Sequence, residues 1–83
     1  MLEELEVVVA STETQWKVGE PHPDHPEAKH YVGTHHDWQL HIVDYGGTVD
    51  GGATSVAQHT AIHLTPALAW KAWKAAKGAV HER

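Results

Sequence analysis

Residues 55–77, SVAQHTAIHLTPALAWKAWKAAK, decide how the chain is read, because they carry its strongest periodicities. The segment reads as a strand, an abrupt stop and a capped helix. Val56, Gln58, Thr60, Ile62 and Leu64 alternate with Ser55, Ala57, His59, Ala61 and His63, so a strand over 56–64 puts the two sets on opposite faces. The first set grows more apolar toward Leu64 and is the face expected to be buried. Thr65 fits an N-cap and Pro66 the first helical position, where an absent N–H costs nothing. A residue before proline also avoids helical backbone, which argues against the alternative of a helix over 56–64 that runs straight on.

A helix is predicted over 66–78. From Ala67, a wheel of about 100° per residue gathers Leu68, Ala69, Ala72, Trp73, Ala75, Ala76, Ala79 and Val80 on one arc. Lys71, Lys74 and Lys77 fall opposite, and Trp70 falls among them. An aromatic side chain among cations suits an acidic protein partner, a homodimer seam or a base-stacking contact with phosphate support. Trp70, Lys71, Lys74 and Lys77 are therefore the candidate partner-binding residues. The competing reading puts Trp70 on the rim of the helix–sheet interface, half covered by lysine stems.

Upstream, the β-branched run in LEELEVVVA predicts a strand over 5–10, and the alternation of Trp16 with Val18 a second over 15–18. Residues 19–36 hold three of the four prolines through 21–26 and few large apolar side chains, and are read as a long loop, with a short extended piece at Tyr31-Val32. Trp38, Leu40 and Ile42 alternate with Asp37, Gln39 and His41, predicting a strand over 37–44. Residues 45–54, YGGTVDGGAT, are read as a glycine-rich hairpin loop that pairs 37–44 with 56–64. The expected architecture is α+β, one domain of 1–83: a three- or four-stranded antiparallel sheet with one C-terminal helix packed on one face. A dimer sharing its sheet is the variant of this arrangement.

An 83-residue chain buries only about 60% of its unfolded surface, so its core is small. With no cysteine and no phenylalanine, the core falls to Val, Leu, Ile, Ala and four tryptophans, and thiolate chemistry is excluded. No apolar run reaches the roughly 20 residues of a membrane span, and no signal-peptide pattern opens the chain, so a soluble, cytoplasmic protein is expected. Net charge is −5, which disfavours general nucleic-acid affinity. The charge is uneven: residues 1–65 hold ten acidic and two basic side chains, residues 66–83 one acidic and four basic. The C-terminal helix is a local cationic face on an acidic body.

Nine histidines invite a metal reading, with zinc or another divalent ion as the ligand. Their spacing matches no strong signature: there is no HExxH and no cysteine pair. On a helix His59 and His63 would share a face, but on a strand four residues span about 13 Å, too far for one ion. Pairing of 37–44 with 56–64 would place His41 diagonal to both, at about 7–8 Å. His41, His59 and His63 are thus the metal candidates on the sheet, with His22 and His25 in the loop. Protonating all nine would turn −5 into +4, which predicts solubility or association that varies with pH.

Triads built from Ser55 or Ser11, a histidine and Asp37 or Asp44 arise by chance among so many histidines, and no G-x-S-x-G elbow supports them. Gly46 to Gly52 lacks the Lys-Ser/Thr ending of a phosphate loop. The expectation is a small non-enzymatic protein that binds a protein partner or itself, of the inhibitor, adaptor or accessory kind, including those encoded by phages and mobile elements. A histidine-rich divalent-metal-binding domain is the first alternative. A nucleic-acid-binding module using the lysine–tryptophan helix is the second.

Overall fold

The computed structural model describes residues 2–21 and 23–80. In chain order the elements are α1 (Leu2–Ala10), β1 (Gln15–Val18), β2 (Lys29–His35), β3 (Trp38–Asp44), β4 (Val49–Ser55), β5 (Thr60–His63) and α2 (Pro66–Ala79). The strands form one antiparallel sheet in the order β1-β2-β3-β4-β5, a meander in which each strand pairs with its sequence neighbours. The α+β class stands, with five strands where three or four were expected, and with a second helix. Among the described residues, no helix is long and apolar enough to cross a membrane.

The C-terminal helix follows its sequence pattern closely. Thr65 is extended (φ −64°, ψ 156°), its hydroxyl accepts from the Leu68 N–H at 3.3 Å, and Pro66 opens the first turn. Such a cap is worth about 1 kcal/mol. Leu68, Ala69, Ala72 and Ala76 are buried, and Val80 ends the helix by donating its N–H to the Ala76 carbonyl at 2.9 Å.

Four expectations are corrected. Residues 5–10 are helical: Leu5, Val8 and Val9, at i, i+3 and i+4, are all buried, and α1 packs beside α2. Burial of that stripe outweighs the strand propensity of three valines, which differs from a helix former's by only about 1 kcal/mol per residue. Residues 29–35, placed in the 19–36 loop, form β2, which pairs with both β1 and β3.

Residues 49–55, placed in the glycine-rich loop, form β4, and only 45–48 turn, with Gly46 at φ 101°. The strand expected over 56–64 shrinks to Thr60–His63. Residues 56–59 are a turn in which His59 takes φ 50°, and Val56 is 76% exposed rather than buried. The pairing of 37–44 with 56–64 therefore does not occur. β3 pairs with β4, and β4 with β5.

The core lies between the helices and one face of the sheet. Trp38, Leu40 and Ile42 of β3 point inward, flanked by Tyr31 on β2 and Ala53 on β4. Leu5, Leu64 and the alanine stripe of α2 close it from the other side. Glycines sit where bulk must come from elsewhere. A Cβ at Gly33 would lie 2.7 Å from the Trp16 ring, which lies across that residue. A Cβ at Gly51 would lie 2.6 Å from Ile42 Cδ1 and 3.0 Å from the His41 carbonyl oxygen. These glycines mark close packing, not turns.

A pair of substitutions checks that account. Gly51→Ala is expected to cost about 1–3 kcal/mol by overpacking, measured by urea denaturation. Gly52→Ala, on the open face with only the Ile62 carbonyl oxygen at 3.3 Å, should cost clearly less. Equal costs would contradict the assignment of 49–55 as a strand with Gly51 inward.

Candidate functional site

The exposed side of α2 is built from a column at i, i+3 and i+7. Trp73 is half-buried at the rim of the core, and its indole N–H donates to Asp44 Oδ2 at 2.9 Å. The other oxygen of Asp44 accepts from the Gly46 N–H at 2.8 Å, so one carboxylate ties the β3–β4 turn to the helix. Trp70 stacks on Trp73 with ring centroids 4.6 Å apart and planes inclined by 28°. Lys77 Nζ lies 4.6 Å from the centroid of the Trp73 ring. Trp70 remains 51% exposed, and Lys71 and Lys74, like Lys77 of the column itself, are exposed. Trp70 is off the apolar arc, and the neighbour that supports it is an aromatic ring rather than the lysine stems alone.

The other face of the sheet is open. His30 and Val32 of β2, His41 and Val43 of β3, Asp50 and Gly52 of β4, and Ala61 and His63 of β5 project there. His41 and His63 lie in one row across Gly52, and β4 separates them by about 9.5 Å between backbones. They border a shallow concavity of about 420 Å³ whose floor is Gly52 and whose walls include Asp50 and Ala61. The two histidines make different contacts: His41 stacks on His30 with centroids 5.8 Å apart, and His63 Nε2 meets Asp50 Oδ1 at 2.9 Å.

The structure does not unite the histidines that sequence alternation grouped. His59 sits in the 56–59 turn, at the end of β5 remote from His63. His25 pairs with Glu27 at 3.7 Å and packs edge-on against Tyr45. His22 lies outside the described residues. Of the serine and aspartate residues named above, Ser55 and Asp37 are brought together. The Ser55 hydroxyl is buried and donates to Asp37, while accepting from the Gln58 N–H at 3.2 Å. Asp37 also accepts from the Ala57 N–H at 3.0 Å, so this pair clips the β2–β3 turn to the β4–β5 turn. Those bonds, the Ser55 hydroxyl first, hold the Asp37 carboxyl below its ordinary value of 3.8.

Among the described residues, one three-membered set of metal-ligand types converges: Glu13, His35 and His36, with ligand atoms all within 4.8 Å of one another. Strand alternation sends consecutive residues to opposite faces and hides this set. The chain brings the rings together because His36 opens the two-residue β2–β3 turn at φ 53°, which swings its imidazole against that of His35, edge-on at 4.5 Å. A histidine doublet directly before the Asp37 turn was the available signal. Comparison with protein-family models, curated proteins and solved structures finds no match to this chain.

One titration follows from the open face. Burial first, and the His30 imidazole second, lower the pKa of His41 from its ordinary 6.5. From β2 His30 faces it, β4 offers only Gly52, and Asp50 is engaged by His63 beyond. The unfolded chain therefore takes up this proton at higher pH than the folded one. The stability present above 6.5 should decline as pH falls through the window beneath it. Urea midpoints at pH 7.5 and 5.5 should diverge more for wild type than for His41→Gln, and parallel shifts would contradict the assignment.

Proposed function

We propose that the protein acts by binding another macromolecule through the Trp70 face of α2, with a segment of acidic polypeptide as the occupant. The observation that carries this reading is that Trp70 is half exposed yet held in a stack on Trp73, itself anchored by Asp44. An exposed aromatic ring whose rotamer is already fixed loses little conformational entropy on binding. Tryptophans of this kind dominate the energetics of protein interfaces, where a buried central ring often carries 2 kcal/mol or more, an order-of-magnitude figure for such hot spots.

Charge selects the partner's chemistry. Lys71, Lys74 and Lys77 ring the column and favour carboxylates. A long polyanion such as a nucleic acid would extend beyond three lysines onto a body whose net charge is −5, and lose there what it gains at the helix. A short acidic segment stays within the cationic patch. On this reading the chain is a non-catalytic binding protein of the inhibitor, adaptor or accessory type, and phages and mobile elements are natural sources of such proteins.

Tryptophan fluorescence tests it, with a ten-residue glutamate peptide and a single-stranded oligonucleotide titrated separately at low ionic strength. The peptide should bind and the oligonucleotide bind more weakly at equal charge. Trp70→Ala should cost about 1 kcal/mol of stability, the worth of an aromatic pair, while weakening peptide binding by roughly thirtyfold, as expected for a hot spot. Unfolding of Trp70→Ala would make Trp70 a structural residue. Tighter binding of the oligonucleotide would favour the nucleic-acid reading instead.

A further inference from the structure

We propose that Glu13, His35 and His36 form a binding site for a divalent transition-metal ion of the zinc, nickel and copper group. The site lies where the segment entering β1 meets the β2–β3 turn. Gln15 pairs with Thr34 at the end of the β1–β2 ladder, with Glu13 just before that pair and His35 and His36 just after it in the chain. The backbone of Glu13 is held by its N–H, which donates to the Ser11 hydroxyl at 3.1 Å, and its side chain is free to turn. The residues line a concavity of about 270 Å³ together with Gln15 and Thr34, so an ion can reach them from solvent.

One observation beyond proximity points to a cation. The Nδ1 atom of His35 is buried and has no hydrogen-bond partner, the only such side-chain nitrogen or oxygen among the described residues. Buried polar atoms are almost always paired, so this nitrogen, on one of the two imidazoles of the set, is a donor group with no competing partner inside the protein. His36 holds φ 53° at the first position of a two-residue hairpin turn, where glycine is the ordinary occupant. That backbone turns its ring toward His35.

The donor set fits the ion class. Two imidazoles and one carboxylate suit borderline divalent metals over calcium or magnesium, which take oxygen ligands. Donors about 2.1 Å from a tetrahedral ion lie about 3.3 Å apart. The observed spread of up to 4.8 Å closes by side-chain rotation of Glu13 and His36, both exposed. Remaining coordination positions face solvent and would take water. No residue of this site belongs to the Trp70 column, so the two proposals stand or fall separately.

Calorimetric titration of the wild-type chain with zinc chloride, and separately nickel chloride, at pH 7.5 tests the site. Binding of one ion per chain is expected. His36→Gly keeps the turn, since glycine adopts that backbone freely, and Glu13→Gln alters only an exposed side chain. Each should weaken binding at least about tenfold, whereas the double variant His41→Ala/His63→Ala should bind like wild type. The proposal is overturned if wild type takes up no metal at millimolar concentration. It is equally overturned if His36→Gly and Glu13→Gln bind as tightly as wild type, or if the His41/His63 double variant is the one that loses the ion.

Discussion

The seating of a small-residue helix stripe on a small-residue strand is the contact on which the rest of the structure depends. Ala69, Ala72 and Ala76 of α2 are all essentially inaccessible, and β4 is the strand α2 packs against most extensively. The inward positions of β4 are Val49, Gly51, Ala53 and Ser55, the last three of them small. Small side chains on both surfaces let the helix approach closely, and they also limit the apolar area buried along the seam. Bulk is therefore supplied from the flanks. Ile42 reaches over Gly51, Trp16 lies across Gly33, and Leu5, Leu64 and Tyr31 fill the remaining volume.

The tryptophans of α2 lie outside this seam. Trp73 sits at the rim, where its N–H donates to Asp44, and Trp70, off the buried arc, sits outside, where its support is Trp73. The helical period that turns the alanine stripe inward is what leaves this aromatic face exposed. Among the described residues, by contrast, no helix covers the open face of the sheet, which is lined with histidines, Val43, Ala61 and Gly52 and buries Val32.

How much of this was legible in the sequence depended on whether local and long-range signals agreed. Thr65, Pro66 and the helical period that follows all point the same way, and α2 was readable with its cap and with Trp70 off the arc. At 5–10 they conflicted: three consecutive valines favour a strand, while Leu5, Val8 and Val9 fall on one helical stripe that is buried in the core beside α2. At 49–55 glycine has two meanings, turn and close approach, and only the packing of Ile42 and Leu64 around Gly51 distinguishes them. With β4 read as a loop, β5 falls next to β3, one strand too near, and alternation alone then sets His41 beside His59 and His63. The Glu13–His35–His36 set needed a positive φ at His36 and the β1–β2 register, neither of which composition or periodicity reveals.

The central claim is that α2 seats its alanine stripe against the sheet and leaves Trp70 stacked outside on Trp73. Proton NOE spectroscopy on the native chain tests this most directly. The account predicts cross-peaks between the Trp70 and Trp73 indole rings, contacts from the Ala72 methyl into the core, and none between Trp70 and the methyls of Leu40, Ile42 or Leu64. Cross-peaks from Trp70 to those methyls would place it in the core and contradict the account.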